Sequence, residues 1–230
     1  MEFLLNLVIY LPLLGVLAIL FLREGPAIKW ASFLVTSATF LLSLPLLINF
    51  NITDSAIPQF VTEGSPIMES MDVKYLVGLD GLSLLLFMLT TLMGPIVIMS
   101  SWDSVTKSLK GYYAMLLILQ TASLGTFAAL DLVVFYVFFE LSLIPMYFLI
   151  GIWGGSGRIQ ATIKFFIYTL VGSLIMLVAL LYLGYHAGAA TGIFDFTSDW
   201  RFISSPEYTI GLVEQTYLFL AFALAFCIKV

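Results

Sequence analysis

Seven stretches of nearly uninterrupted apolar residues, each close to the length that crosses a lipid bilayer, limit what this chain can fold into. They fall near residues 3–22, 28–50, 80–100, 111–130, 132–153, 160–184 and 215–230. A helix of about 20 residues rises about 30 Å, the thickness of a bilayer's hydrocarbon core. Composition agrees: 61% of the 230 residues are hydrophobic and 10% charged, where a soluble domain carries about a quarter charged residues. The chain therefore reads as an all-α polytopic membrane protein. Six spans are complete. The seventh, about 16 residues from Gln215, is shorter than the roughly 20 that cross, so it is expected to be either broken inside the membrane or truncated.

The polar borders are residues 23–27, a long stretch 51–79, the short segment 101–110, a tight turn at Asp131, residues 154–159 and a loop over 185–214. Basic residues favour the cytoplasmic side of a membrane. Arg23, Lys29, Lys107, Lys110 and Arg158 follow odd-numbered spans, with Lys164 just inside the sixth, whereas the other side holds only Lys74 and Arg201. Asp54, Glu63, Glu69, Asp72, Asp131, Asp195, Asp199, Glu207 and Glu214 cluster opposite the lysines. This predicts an outside N-terminus and lysine-bearing loops facing the cytoplasm or matrix. The first span lacks the basic flank and cleavage site of a signal peptide and reads as a retained helix. No Arg- and Ser-rich transit segment precedes it, which points to a bacterial inner membrane, or a mitochondrial or plastid membrane.

A single cysteine, Cys227, and a single histidine, His186, exclude an internal disulfide, a cysteine-ligated iron–sulfur cluster and a multi-His metal site within the chain. No phosphate-cradling glycine loop is visible. The chemistry is expected instead from ionisable groups at membrane depth. Glu140 lies in the fifth span, about 14 Å from Asp131 along a helix and so near the midplane. A charge there costs at least about 3 kcal/mol, which makes it a functional candidate. Lys229, about 21 Å from Gln215, reaches a similar depth from the same side. An acid and an amine at one depth can pair, and separating them shifts both proton affinities, which suits proton handling. The same pair also suits a static salt bridge. Pro145 removes the hydrogen bond to the carbonyl of Leu141 and predicts a kink beside Glu140. Lys164 either snorkels to the headgroups or points inward to extend a relay. His186, at the outer end of the sixth span, is either an interfacial histidine or an exit-side proton acceptor. Lys74, Lys107 and Lys110 read as interfacial charge. Gly151-x-x-x-Gly155 and Gly184-x-x-x-Gly188 match a helix-packing motif but fall at expected helix ends.

Three segments carry a resemblance: Tyr75-Leu-Val-Gly-Leu-Asp-Gly-Leu-Ser-Leu-Leu-Leu-Phe-Met-Leu-Thr90 with Pro95 and Ser101-Trp102; Phe139-Glu140-Leu-Ser-Leu-Ile-Pro145 through Trp153 and Gly155 to Arg158; and Lys164-Phe-Phe-Ile-Tyr-Thr169 with Gly172-Ser173. With Ala225-Phe-Cys-Ile-Lys229 they resemble the antiporter-like subunits of respiratory complex I, and among them the subunit M (mitochondrial subunit 4) family. The resemblance implies about fourteen helices in the full family form, including two inverted five-helix repeats. Residues 1–110 would then be helices 1–3 with the outer loop 51–79, and residues 111–230 an incomplete first proton-channel repeat. It implies that Glu140 and Lys229 form a proton-transfer pair and that Asp131 lies near the outer end of the half-channel. The implied activity is proton translocation as a non-redox subunit of NADH:quinone oxidoreductase, with FMN and iron–sulfur clusters in partner subunits. Implied partners are other membrane-arm subunits, neighbouring antiporter-like subunits among them, and the lipid bilayer, with no nucleic acid. A subunit of a multisubunit sodium/proton antiporter or membrane-bound hydrogenase is similar at the same positions. A membrane scaffold with a structural ion pair is the third reading.

Overall fold

The computed structural model describes residues 1–68, 71–193, 196–206 and 208–229. Glu69, Asp195 and Glu207 of the expected acidic cluster lie outside them. Helices α1 (Glu2–Phe21), α2 (Pro26–Ile48), α3 (Gly81–Ser100) and α4 (Leu109–Ala128) are followed by α5 (Leu132–Leu141) and α6 (Leu143–Trp153), then by α7 (Arg158–Thr191), α8 (Trp200–Ile203) and α9 (Leu212–Lys229). By length and composition, six segments can cross a membrane: α1, α2, α3, α5 with α6, α7 and α9. Helix α4, the fourth of the seven expected spans, has 20 residues but is not among these six. It is more polar, and it sits centrally, against α1, α2, α3, α5 and α6.

The bundle inverts the habit of soluble proteins. Large apolar side chains such as Leu14, Leu17, Leu34, Leu41, Leu85 and Val178 point outward, where lipid tails accept them. Between helices lie small or hydroxylated residues. Ser32, Thr36, Thr39 and Ser43, spaced 4, 3 and 4 apart, form a buried stripe along α2. Ser43 Oγ meets Thr91 Oγ1 of α3 at 3.0 Å. Thr36 and Thr39 return their hydroxyl hydrogens to carbonyls of their own helix. Gly125 lets α5 approach α4 so closely that a Cβ would lie 2.2 Å from the Phe138 ring.

The two ends of the bundle differ in a way helix dipoles explain. At one end, Asp80 caps α3 in a reciprocal box with Ser83, Asp131 caps α5 and Asp199 caps α8. Acceptors at a helix N-terminus satisfy orphan amides and complement the positive dipole end. At the other end, Lys110 Nζ donates to the carbonyl of Leu20 near the end of α1 (3.1 Å), and Lys29 Nζ donates to the carbonyl of Trp102 just beyond α3. Helices α2, α4 and α7 begin at that lysine-bearing end, and none has a side-chain cap.

The all-α expectation needs correction at the acidic end. The described residues of 51–79 form a short 3-10 turn followed by the antiparallel pair β1 (Gln59–Met68) and β2 (Met71–Leu79), a hairpin. β3 (Phe196–Thr197) adds to β2 in parallel. The hairpin is part of the core, since Val77 and Leu79 are fully buried with Leu5, Val8, Ile9, Leu46 and Phe87 from the helices. The expected turn at Asp131 is an extended segment held between strands. Leu130 donates to the carbonyl of Leu76, Leu132 to that of Ser198, and Trp200 to that of Leu130.

Candidate functional site

The fifth span is not one helix. It breaks at Ser142 between α5 and α6, three residues before the expected kink at Pro145. Pro145 becomes the third residue of α6, in the first turn, where its missing N–H belongs to the set that has no intrahelical partner. The break exposes the carbonyl of Phe139. Ser142 Oγ donates to it at 2.7 Å and Lys229 Nζ at 2.8 Å. Lys229 also sits over the Phe139 ring, 3.8 Å from its centroid, a cation–π contact that a desolvated ammonium favours. Phe139 is itself wedged between Phe135 and Phe226, at ring distances of 5.6 and 6.0 Å.

Helical periodicity aims these groups. Leu218, Phe222, Ala225 and Lys229, spaced 4, 3 and 4 apart on α9, turn the ammonium onto the face that packs on α5 and α7. On α5, Phe135, Tyr136 and Phe139 turn toward Met176 of α7 and Ala225 of α9, and Glu140 follows directly. The Lys229 bond to Phe139 places its amine at the level of Glu140, as the depth count predicts. The two do not form an ion pair: the ion pairs among the described residues involve Lys74 and Arg201. Glu140 Oε2 is buried and accepts no hydrogen bond from any described residue. A buried carboxylate oxygen without a donor is costly, and the nearby ammonium has a backbone carbonyl as its partner instead. The anchoring roles of Phe139 and Ser142 were not evident in the sequence, because the acceptor is a main-chain oxygen freed by the break.

Nine residues, or about 13.5 Å of helix, separate Asp131 from Glu140. Asp131 is fully buried and accepts four hydrogen bonds, from the amides of Val133 (2.8 Å), Val134 (3.1 Å) and Lys74 (3.4 Å) and from Ser198 Oγ (2.6 Å). Burial pushes its carboxyl above the usual aspartate range, against the pull of Ser198 and the three amides. A cavity of about 390 Å³ runs alongside, lined by Asp131, Thr126, Leu132, Phe135, Phe222 and Phe226 among others. It connects the level of Asp131 to the rings that flank Phe139.

The remaining candidates lie elsewhere. Lys164 is exposed on α7, in a shallow outward groove with Phe165, Ile167 and Tyr168, and is not brought to Glu140. His186 is not at a helix end: α7 continues five residues beyond it, to Thr191, into the loop expected over 185–214. His186 Nδ1 lies 3.0 Å from Tyr208 Oη, and its ring stacks on Tyr182, whose hydroxyl donates to Glu214 (3.0 Å). Burial pushes the Tyr208 hydroxyl up to about 12. Gly184 is likewise inside α7, where a Cβ would lie 2.3 Å from the Phe196 ring, so the small residue seats β3. Lys74 and Arg201 are structural ties: Lys74 Nζ reaches Glu63 (2.7 Å) and Asp72 (3.2 Å), and Arg201 reaches Glu63 (3.0 Å) and Asp199 (2.6 Å).

Residues 129–230 match the family described as NADH:quinone oxidoreductase/Mrp antiporter, TM. The chain is 42% identical to NADH-quinone oxidoreductase subunit M of Rhodobacter capsulatus over 240 aligned residues, covering all of this chain and 46% of that protein. It is 36% identical to NADH-ubiquinone oxidoreductase chain 4 of Prototheca wickerhamii, covering 98% of this chain and 44% of that one. A chain of respiratory complex I from Thermus thermophilus with bound NADH superposes with a TM-score of 0.79 at 30% identity, over 98% of this chain and 44% of that chain. A chain of the Mrp complex from Dietzia sp. DQ12-45-1b shares the fold, with a TM-score of 0.74 at 20% identity, over 99% of this chain and 23% of that one. The chain thus spans a little under half the length of the curated relatives it matches. Its apolar helices, buried hairpin and whole-length similarity make it a multi-pass membrane protein and a homologue of NADH-quinone oxidoreductase subunit M (chain 4), of which it covers part.

Proposed function

We propose that this chain contributes the first half-channel of a proton-translocating membrane-arm subunit of NADH:quinone oxidoreductase. Glu140 exchanges a proton with a water path, and Lys229 sets its proton affinity by moving toward or away from it. The observation that carries this reading is the unpartnered Glu140 Oε2 beside an ammonium held on the Phe139 carbonyl. An ammonium on a neutral acceptor can shift to a carboxylate nearby without breaking another ion pair, and each position favours a different protonation state of the acid. Asp131 lies at the outer end of the path, with the cavity beside α5 as the space between. Helices α4 to α9 belong to the first of two inverted repeats, residues 1–110 pack against it, and the lysine-bearing end faces the cytoplasm or matrix. Electron transfer takes place in partner subunits that carry FMN and iron–sulfur clusters, and it drives charge rearrangement along the arm.

The test is NADH-driven proton pumping in vesicles carrying Glu140→Gln in the full-length subunit, with assembly checked in parallel. Intact assembly with lost pumping is the expected result. Unchanged pumping would remove Glu140 from the path, and failed assembly would favour a scaffold role. The fold shared with the Mrp chain keeps a sodium/proton antiporter subunit as the second reading. Copurification with flavin and iron–sulfur proteins distinguishes complex I from that alternative.

A further inference from the structure

Gln120 of α4 is 7% exposed, and neither its amide nitrogen nor its amide oxygen has a hydrogen-bond partner among the described residues. It does not belong to the Glu140 site. Its side chain borders a cavity of about 150 Å³ between α2, α3 and α4, lined also by Thr36, Thr90, Met93, Gly94 and Ser123. The hydroxyls of Thr36, Thr90 and Ser123 give their hydrogens to carbonyls of their own helices, those of Ser32, Leu86 and Leu119, which leaves their oxygens able to accept. The cavity therefore offers two amide donors, one amide acceptor and three hydroxyl acceptors to whatever fills it.

From this arrangement we infer that the α2–α3–α4 cavity is a hydration site, in which ordered water bridges the Gln120 amide to the hydroxyls of Thr36, Thr90 and Ser123. The size fits: at about 30 Å³ per molecule, the space admits on the order of five waters, each needing two to four polar partners. The charge fits as well. No lining residue is ionisable, so neither an anion nor a cation finds a counter-charge, and the amide N–H groups would repel a cation. An acyl chain would leave the amide unsatisfied in a low-dielectric setting. Gly94 makes room for the amide at the edge of the site, since a Cβ there would lie 2.5 Å from Gln120 Nε2.

Two measurements test it on the full-length subunit in its native complex, in lipid nanodiscs. The first is a cryo-electron microscopy map resolving solvent: density for water within hydrogen-bond distance of both Gln120 amide atoms is expected. A dry cavity, an acyl chain or a neighbouring side chain on the amide would overturn the inference. The second is pulsed hydroxyl-radical labelling, because water held at the site generates radicals beside Met93. Oxidation of Met93 is expected to fall severalfold in Gln120→Leu relative to the unsubstituted subunit, and equal rates would overturn the inference. Should Gln120→Leu fail to assemble, the map of the unsubstituted complex decides alone.

Discussion

At the scale of single residues, Asp131 shows how one carboxylate can fasten several elements. Its Oδ1 caps α5 through Val133 and Val134, while Oδ2 accepts from Lys74 of β2 and Ser198 beyond β3. Replacing an N-cap aspartate by alanine costs about 1–2 kcal/mol, and here it would also strand the Ser198 hydroxyl. Asp131→Ala is expected to lower the thermal unfolding midpoint of the subunit even where Glu140→Gln leaves it unchanged, as differential scanning fluorimetry of the purified complex can read. Lys229 teaches a related lesson. Its level beside Glu140 was legible by counting along an apolar run, and its partner was not. The acceptor is the main-chain oxygen of Phe139, 90 positions earlier, and side-chain patterns carry no trace of which carbonyl a helix break will free.

At the scale of elements, the hairpin is the part that sequence reasoning did not find. β1 contains Gly64 and Pro66, and its pairing with β2 shifts register three times, so no clean alternation marks it. β3 reaches β2 from more than a hundred residues away. What ties the hairpin to the 199–201 segment is charge. Glu63 bonds to Lys74 and Arg201. The Lys74 bond, and then Arg201, hold its carboxyl below the usual glutamate range despite partial burial. A lowered carboxylate stabilises above its unfolded value and loses that contribution as pH falls through its folded value. Acidification below the ordinary glutamate range is therefore expected to release protection of the amides of residues 72–76 against hydrogen exchange. Glu63→Gln should show reduced protection already at neutral pH and a smaller further loss on acidification. Identical pH profiles for the two proteins would remove this tie from the account.

At the scale of the whole molecule, the separation of charge has two physical origins that coincide. Lysines at one end bond carbonyls at or just beyond the C-termini of helices, and aspartates at the other cap N-termini, while the same asymmetry is the one that orients a chain in a membrane. Lys74 and Arg201 are tied up by acids and so do not oppose it. In a Cys227→Ser background, Thr53→Cys is expected to react with an impermeant maleimide added to the outer side, and Asp103→Cys only with reagent on the cytoplasmic or matrix side. The reverse pattern would invert the proposed orientation. The sequence by itself determined the apolar spans, their helical character and the common level of Glu140 and Lys229, because helix rise and span length depend on local composition. Only the tertiary structure decided that the helix breaks at Ser142, that the ammonium rests on a carbonyl rather than on Glu140, and that a β-hairpin closes one end. Each of these depends on contacts between residues far apart in the chain, and their energies are fixed by packing that no local pattern encodes.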